Sequence, residues 1–142
     1  MKILIIGGTG TISSAITRQL AESEHELWLL NRGNRKQEVP ANVKQIVANI
    51  DDEADVLRQI GDTMFDAVCE FIGFVTEQVE RDHRLFAGRT RQYVYISSAS
   101  AYAKPVRNYI INEGTSLCNP HWEYSRNKIA CEELLMKYYR EE

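Results

Sequence analysis

Tyr124 and Lys128 stand four residues apart, one turn of a helix, so a helix through them presents both side chains on one face. A phenol titrates near about 10 when unperturbed. An ammonium group beside it stabilises the phenolate and brings the tyrosine toward acid/base work near neutral pH. The spacing alone is weak evidence in a chain with seven tyrosines. A second set of hydroxyls, Ser97, Ser98 and Ser100 with Tyr102 close behind, follows the apolar residues Val94 and Ile96. Hydroxyls at the C-terminal end of a parallel strand lie where such sheets place their ligands. The plain alternative for these serines is turn and capping chemistry.

A third constellation lies at the start of the chain. Gly7-Gly8-Thr9-Gly10-Thr11-Ile12-Ser13 follows an apolar run and precedes a helical pattern. Glycines there let the backbone turn tightly and approach a pyrophosphate, and the helix start offers free N–H groups and a positive dipole end. Gly7, Thr9, Gly10, Thr11 and Ile12 are the candidate phosphate-side contacts. Ser13 occupies a position usually held by glycine or alanine, which weakens the match slightly. The competing reading is a tight turn without a ligand. The next strand runs into Asn31-Arg32, with Arg35 beyond. A carboxylate at this point accepts the ribose 2′-hydroxyl of NAD, whereas a guanidinium grips a 2′-phosphate. The amide at Asn31 with Arg32 and Arg35 therefore predicts NADP in preference to NAD. The bland reading of these residues is a solvated basic loop.

These groups need a scaffold, and the hydrophobic pattern supplies one. Residues 3–6 form a continuous apolar run, as do 27–30, and segments 43–47, 65–72 and 92–97 read as further strands. Helices are expected from near Thr11, after Asp51-Asp52 as far as Ile60, over 76–87 with Val79 and Phe86 inward, and over 121–142. Glu133 and Lys137 in the last helix are spaced to pair on its exposed face. Strands that alternate with helices, several of them apolar without a polar face, imply a parallel sheet covered on both sides. The expected architecture is α/β, a Rossmann-type doubly wound sheet in order 3-2-1-4-5 forming one dinucleotide-binding domain over 1–142. The stretch from 39 to 47 leaves little room for a helix between the second and third strands.

Composition narrows the function. The formal charge is -3, which gives no basic field for nucleic acid or an anionic membrane. The three cysteines, Cys69, Cys118 and Cys131, form no paired framework, which suits a reducing compartment. The first residues make neither a signal peptide nor a membrane span, so a cytoplasmic protein is expected. His25, His83 and His121 have no metal-ligand spacing with the cysteines, and no metal site is expected. Glu70 ends the fourth strand near the expected cofactor, where a functional role competes with the commoner reading of a simply solvated carboxylate. Trp122 and Tyr109 suit a substrate pocket or simple packing.

With these residues in view, the chain resembles the extended short-chain dehydrogenase/reductases, the NAD-dependent epimerase/dehydratase family. The resemblance is carried by Gly7-Gly8-Thr9-Gly10, Tyr95-Ile96-Ser97-Ser98-Ala99-Ser100-Ala101-Tyr102, Ile111-Asn112-Glu113, and Tyr124 with Lys128, and it covers essentially the whole chain. It implies that Tyr124 is the acid/base, that Lys128 also holds the nicotinamide ribose, and that Ser98, four residues before Tyr102, orients the substrate. It places Asn49, followed by Ile50, where the family has an acidic adenine contact. It sets Phe71, Ile72 and Gly73 in the segment that passes under the cofactor.

The same resemblance implies an oxidoreductase, epimerase or dehydratase acting on a hydroxyl or carbonyl carbon, with a sugar nucleotide as small-molecule substrate. It also implies further strands and a substrate region that the 142 residues do not supply, so the isolated chain is expected to bind cofactor better than it turns substrate over. The helix face of Leu134, Leu135 and Tyr138 would then invite a homodimer. Asn31-Arg32-Gly33 is similar to a subgroup containing isoflavone-reductase-like and chloroplast stem-loop RNA-binding proteins. A non-catalytic nucleotide- or RNA-binding module is therefore the competing function.

Overall fold

Lys2–Ile6 forms strand β1 at the centre of a five-stranded parallel sheet, in a computed structural model that describes residues 1–34, 38–106 and 108–141. The unbroken apolar run is explained by burial on both faces. Leu4, Ile5 and Ile6 are wholly buried, and each such side chain contributes roughly 1.5–3 kcal/mol. Alternation sends Leu4 and Ile6 into one core cluster and Ile3 and Ile5 into the other. The first cluster is closed by Val56 and Ile60 of α2 (Glu53–Ile60) and by Leu85 and Phe86 of α3 (Thr76–Phe86). The second takes Ile16 and Leu20 of α1 (Ser13–Ala21).

The remaining strands are β2 (Glu26–Asn31), β3 (Lys44–Val47), β4 (Phe65–Glu70) and β5 (Thr90–Tyr95), and the sheet order is β3-β2-β1-β4-β5. This is the doubly wound Rossmann arrangement expected from the pattern of elements. One row of the register runs Ile46, Leu30, Ile6, Glu70, Tyr95. The residues that follow this row, Gly7, Asn31 and Phe71, therefore leave three neighbouring strands at the same level.

Several boundaries differ from the sequence expectation for identifiable reasons. Helix α1 starts at Ser13, not Thr11, because the glycine turn extends through Ile12. Strand β4 stops at Glu70, not Ile72, because the Ile72 N–H turns back onto the Glu70 side chain instead of the ladder. Strand β5 begins two residues early because Thr90 already pairs with Phe65, and it ends at Tyr95. Helix α2 is capped as expected, with the Asp52 carboxylate accepting from Asp55 N–H at 3.1 Å. Among the described residues no helix separates β2 from β3.

The chain divides into two compact units, Met1–Ile72 with Arg81–Ile96, and Gly73–Glu80 with Ser97–Glu142. The first holds the sheet. The second holds a 3-10 turn at Ala99–Ala101, an antiparallel bridge between Tyr102 and Leu117, and helix α4 (Glu123–Glu141), which begins two residues later than expected. Among the described residues no helix is long and apolar enough to cross a membrane, and no group of three metal-binding side chains comes together.

Candidate functional site

The glycine turn of the first unit is braced from within. Gly7 adopts φ 80°, and a Cβ built there would lie 2.5 Å from Ile72 Cγ2. A Cβ on Gly8 would lie 2.5 Å from Leu29 Cδ2, so that position also excludes a side chain. Ser13, expected to weaken the turn, instead closes it. Its buried hydroxyl donates to Gly7 O at 2.6 Å and accepts Gly10 N–H at 2.9 Å. Thr17, one turn further along α1, donates its hydroxyl to Gly8 O at 3.0 Å. Gly10 N–H is thereby satisfied internally. The start of α1 is different, because Ile12 is its N-cap, no side chain caps it and no acid stands in its first turn. Ser14 and Ala15 N–H are taken up by Gly10 O at 3.0 Å and Ile12 O at 3.2 Å, and the helix start keeps its positive dipole end for an anion.

Asn31, at the end of β2, is the next candidate. Its Oδ1 accepts Gly33 N–H at 2.9 Å, while its Nδ2 is buried and has no hydrogen-bond partner among the described residues. A buried donor without an acceptor is costly, and a ribose hydroxyl or phosphate oxygen would satisfy it. Arg32 is exposed, and Arg35 lies outside the described residues. A cavity of about 280 Å³ is lined by Gly8, Thr9, Arg18 and Glu38 among others. It adds a cation, Arg18, that spacing alone did not single out. Asn49 is exposed and its side chain accepts Asp51 N–H at 3.4 Å; Ile50 is buried in the core, so only its main chain is open to a ligand.

Glu70 corrects the sequence reading. It is not solvated but 1% exposed, with one carboxylate oxygen accepting the Ile72 N–H and the other 3.4 Å from Arg81. Burial, and then the charge of Asp82, push its carboxyl up to about 9.

The second unit carries the proton-transfer candidates. Lys128 is 2% exposed, and its ammonium donates to Gly73 O at 2.7 Å. The same nitrogen lies 5.1 Å from the Phe74 ring centre and 5.8 Å from that of Tyr124, within the range of cation–π attraction. The Tyr124 ring is held between Trp122, at 4.8 Å between centres, and Phe74, at 6.1 Å. The one-turn spacing thus does bring the two residues together, and Phe74, Gly73 and Trp122 fix them in place. Tyr109 is 92% exposed, which leaves it unpacked.

The serines separate by partner. Ser97 donates to Glu132, whereas Ser98 caps the 3-10 turn and lies 2.9 Å from Ser100 Oγ. Ser125 Oγ donates to Ser100 Oγ at 2.9 Å, and Asn119 Nδ2 donates to Ser125 Oγ at 3.3 Å and to Ser100 O at 2.8 Å. Asn119 Oδ1 accepts His121 N–H at 3.2 Å. That pairing fixes the amide orientation, since a flip would set two donors against each other and two acceptors against each other. Direction then propagates. Asn119 can only donate to Ser125, and Ser125 spends its proton on Ser100; between Ser100 Oγ and Ser98 Oγ either hydroxyl can donate. Ser98 Oγ also accepts Ser100 N–H at 3.2 Å.

A Rossmann-type sheet, a braced glycine turn and a tyrosine–lysine pair define a short-chain dehydrogenase/reductase type of protein. The chain belongs to the NAD dependent epimerase/dehydratase family, whose family model matches residues 3–142. It is 28% identical to a UDP-glucose 4-epimerase from Lactobacillus helveticus, across 95% of this chain and 46% of that protein. Its fold is similar to that of the UDP-Glc/GlcNAc 4-epimerase from Campylobacter jejuni, with TM-score 0.82, 22% identity, and 96% of this chain and 48% of that one covered. It is also similar to a UDP-glucose 4-epimerase from Bifidobacterium longum solved with NAD+ and UDP, with TM-score 0.81, 19% identity, and 100% and 50% coverage. The chain thus spans about half the length of these relatives. The finer subgroup suggested by Asn31-Arg32-Gly33, and the RNA-binding function that went with it, find no support in these matches.

Proposed function

We propose that the chain supplies the dinucleotide-binding and proton-transfer residues of a nicotinamide-dependent epimerase or dehydratase acting on a hydroxyl-bearing carbon of a sugar nucleotide. The observation that carries this reading is the buried Lys128 ammonium packed on the Tyr124 ring. A phenol with an ammonium packed on its ring is the pair of groups that proton transfer at a hydroxyl-bearing carbon calls for. The sugar-nucleotide class comes from the relatives' own substrates.

The residues present fit a dinucleotide. The uncapped start of α1 and the glycine turn suit its phosphates, and the unpartnered Asn31 Nδ2 suits a ribose oxygen or phosphate. When bound, the nicotinamide supplies reversible two-electron oxidation of the substrate carbon. Tyr124 takes the hydroxyl proton as that carbon is oxidised and returns a proton on reduction. Ser98 donates its hydroxyl proton to the substrate oxygen, and Lys128 holds its ammonium beside the Tyr124 ring.

Two readings of the cofactor's phosphorylation rest on different observations. The exposed guanidinium of Arg32, in place of a carboxylate, supports NADP. The NAD+ complex of the Bifidobacterium longum epimerase supports NAD. Calorimetric titration with NADH and NADPH tests fold, site and preference together. Binding of neither would overturn the proposal. Turnover of UDP-glucose by the whole protein that carries this sequence tests the chemistry.

A further inference from the structure

The buried acid at the end of β4 has no part in the proton transfer above. Glu70 sits among one guanidinium and two other carboxylates. Arg81, 4% exposed, contacts Asp82 at 2.7 and 2.9 Å and Asp51 at 2.7 Å, and Tyr93 donates its hydroxyl to Asp82 at 2.6 Å. Arg81 is thus already matched by Asp82 and by the more exposed Asp51. A third ionised carboxylate in the cluster would be uncompensated, and burying such a charge is costly. A protonated Glu70 instead hydrogen-bonds Asp82.

What Glu70 does toward the surface is more specific. Its other carboxyl oxygen accepts the Ile72 N–H, two residues on. Phe71 N–H, between them, donates to Ile6 O at 3.1 Å, continuing the sheet by one rung. The chain therefore leaves β4 in a turn whose second residue is anchored by a buried acid. The anchored residue is the one that meets the glycine turn: Ile72 Cγ2 lies 2.5 Å from where a Cβ on Gly7 would be, and the Ile72 side chain is 37% exposed.

We propose that Glu70 is a positioning residue for the dinucleotide site: its carboxyl group fixes the Ile72 main chain and so sets how the Ile72 side chain packs over Gly7, the first glycine of the phosphate loop. This rests on the reading that the glycine turn binds a dinucleotide. Glutamine at position 70 keeps a carbonyl oxygen for Ile72 and a donor for Asp82, so it should substitute well. Leucine keeps the bulk and removes the acceptor, which frees the Ile72 segment.

The test is titration of NADH and NADPH into this chain, its Glu70→Gln variant and its Glu70→Leu variant, with a thermal melt on each. The expected result is affinity within about twofold of the parent for Glu70→Gln, and a loss of about tenfold or more for Glu70→Leu, as for a buried amide left without its acceptor. A folded Glu70→Leu variant that binds as tightly as the parent overturns the proposal and leaves dinucleotide binding standing. A parent chain that binds neither nucleotide overturns both. Should Glu70→Leu fail to fold, amide exchange in the parent and in Glu70→Gln decides. The Ile72 amide is expected to be protected in both, and exchange at an open-chain rate in the parent overturns the proposal.

Discussion

Lys128 holds its ammonium 5.8 Å from the centre of the Tyr124 ring while donating its proton to the Gly73 carbonyl. The lysine is thus anchored by main chain, with its charge held beside the phenol. Tyr124→Phe in the whole protein should lower turnover by about 10²–10⁴-fold, the usual contribution of a general acid/base. Cofactor affinity should stay within about twofold. Lys128→Met should depress both, because it removes a buried cation that packs on two rings. Full activity in Tyr124→Phe, measured with UDP-glucose, would show that another group moves the proton.

The serine chain makes a sharper claim. Ser98→Ala should lower turnover with a smaller effect on cofactor affinity. Asn119→Asp places an acceptor where only a donor now fits, against both the Ser100 carbonyl and Ser125. It should draw the Ser125 proton away from Ser100 and so disturb the hydroxyl chain that reaches Ser98. The expected outcome is a fall in kcat larger than any rise in KM, with Ser125→Ala intermediate. Unchanged kcat in a folded Asn119→Asp variant would mean that Ser98 is oriented by something else.

Glu70 gives stability a pH dependence whose sign is fixed. Its folded carboxyl titrates at about 9 against an ordinary 4.5. The folded protein therefore keeps a proton that the unfolded chain releases. This contribution is fully present below about 4.5 and is lost as pH rises toward 9. Tyr93, pushed upward by burial and by Asp82, stays protonated across that window, and Arg81 stays charged. Melting temperature should thus fall between pH 6 and pH 9, and Glu70→Gln should flatten that fall. A parent and variant with parallel profiles would place the titrating group elsewhere.

Ser13→Ala removes a buried hydroxyl that bridges Gly7 O and Gly10 N–H. Gly10 N–H retains Gly7 O at 3.2 Å, so the loss should be moderate, about 1–2 kcal/mol in chemical denaturation. Dinucleotide affinity should fall with it. Stability equal to the parent would show that the turn closes without the brace.

On the NADP reading, Arg32→Ala should weaken NADPH by about 10- to 100-fold, as expected for a charge-assisted contact, and leave NADH unchanged. Equal effects on both nucleotides would remove Arg32 from the phosphate site and favour NAD.

The sheet was legible because its strands are apolar runs: Leu4 and Ile6 need one covering layer, Ile3 and Ile5 another, and only a doubly covered parallel sheet supplies both. The glycine turn was legible by position. Tyr124 and Lys128 were legible because four residues is a local distance. Asn119 and Ser125 were not, nor was their pairing with Ser100, since an isolated polar residue looks the same in sequence whether exposed or buried. Their pairing depends on how residues 98–125 fold back. Glu70 was misread for a similar reason. Its partners lie 11 and 12 residues along the chain, and no local pattern shows a strand-end carboxylate to be covered. One signal was available: Val79, Asp82 and Phe86 follow the i, i+3, i+7 spacing of a buried helical stripe, and Asp82 is a charge within it.

The Ser13 brace also bears on how fast and how tightly a nucleotide would be captured. A phosphate loop that is closed by its own side chain has no conformational search left to complete when ligand arrives. Capture should then be a collision with a rigid cradle, its rate set by diffusion and orientation instead of loop ordering. The affinity of the turn would come from contacts alone, without the entropy loss that a floppy glycine loop incurs. A serine in place of the usual glycine or alanine would thus give the chain a phosphate site that is already in shape before anything binds.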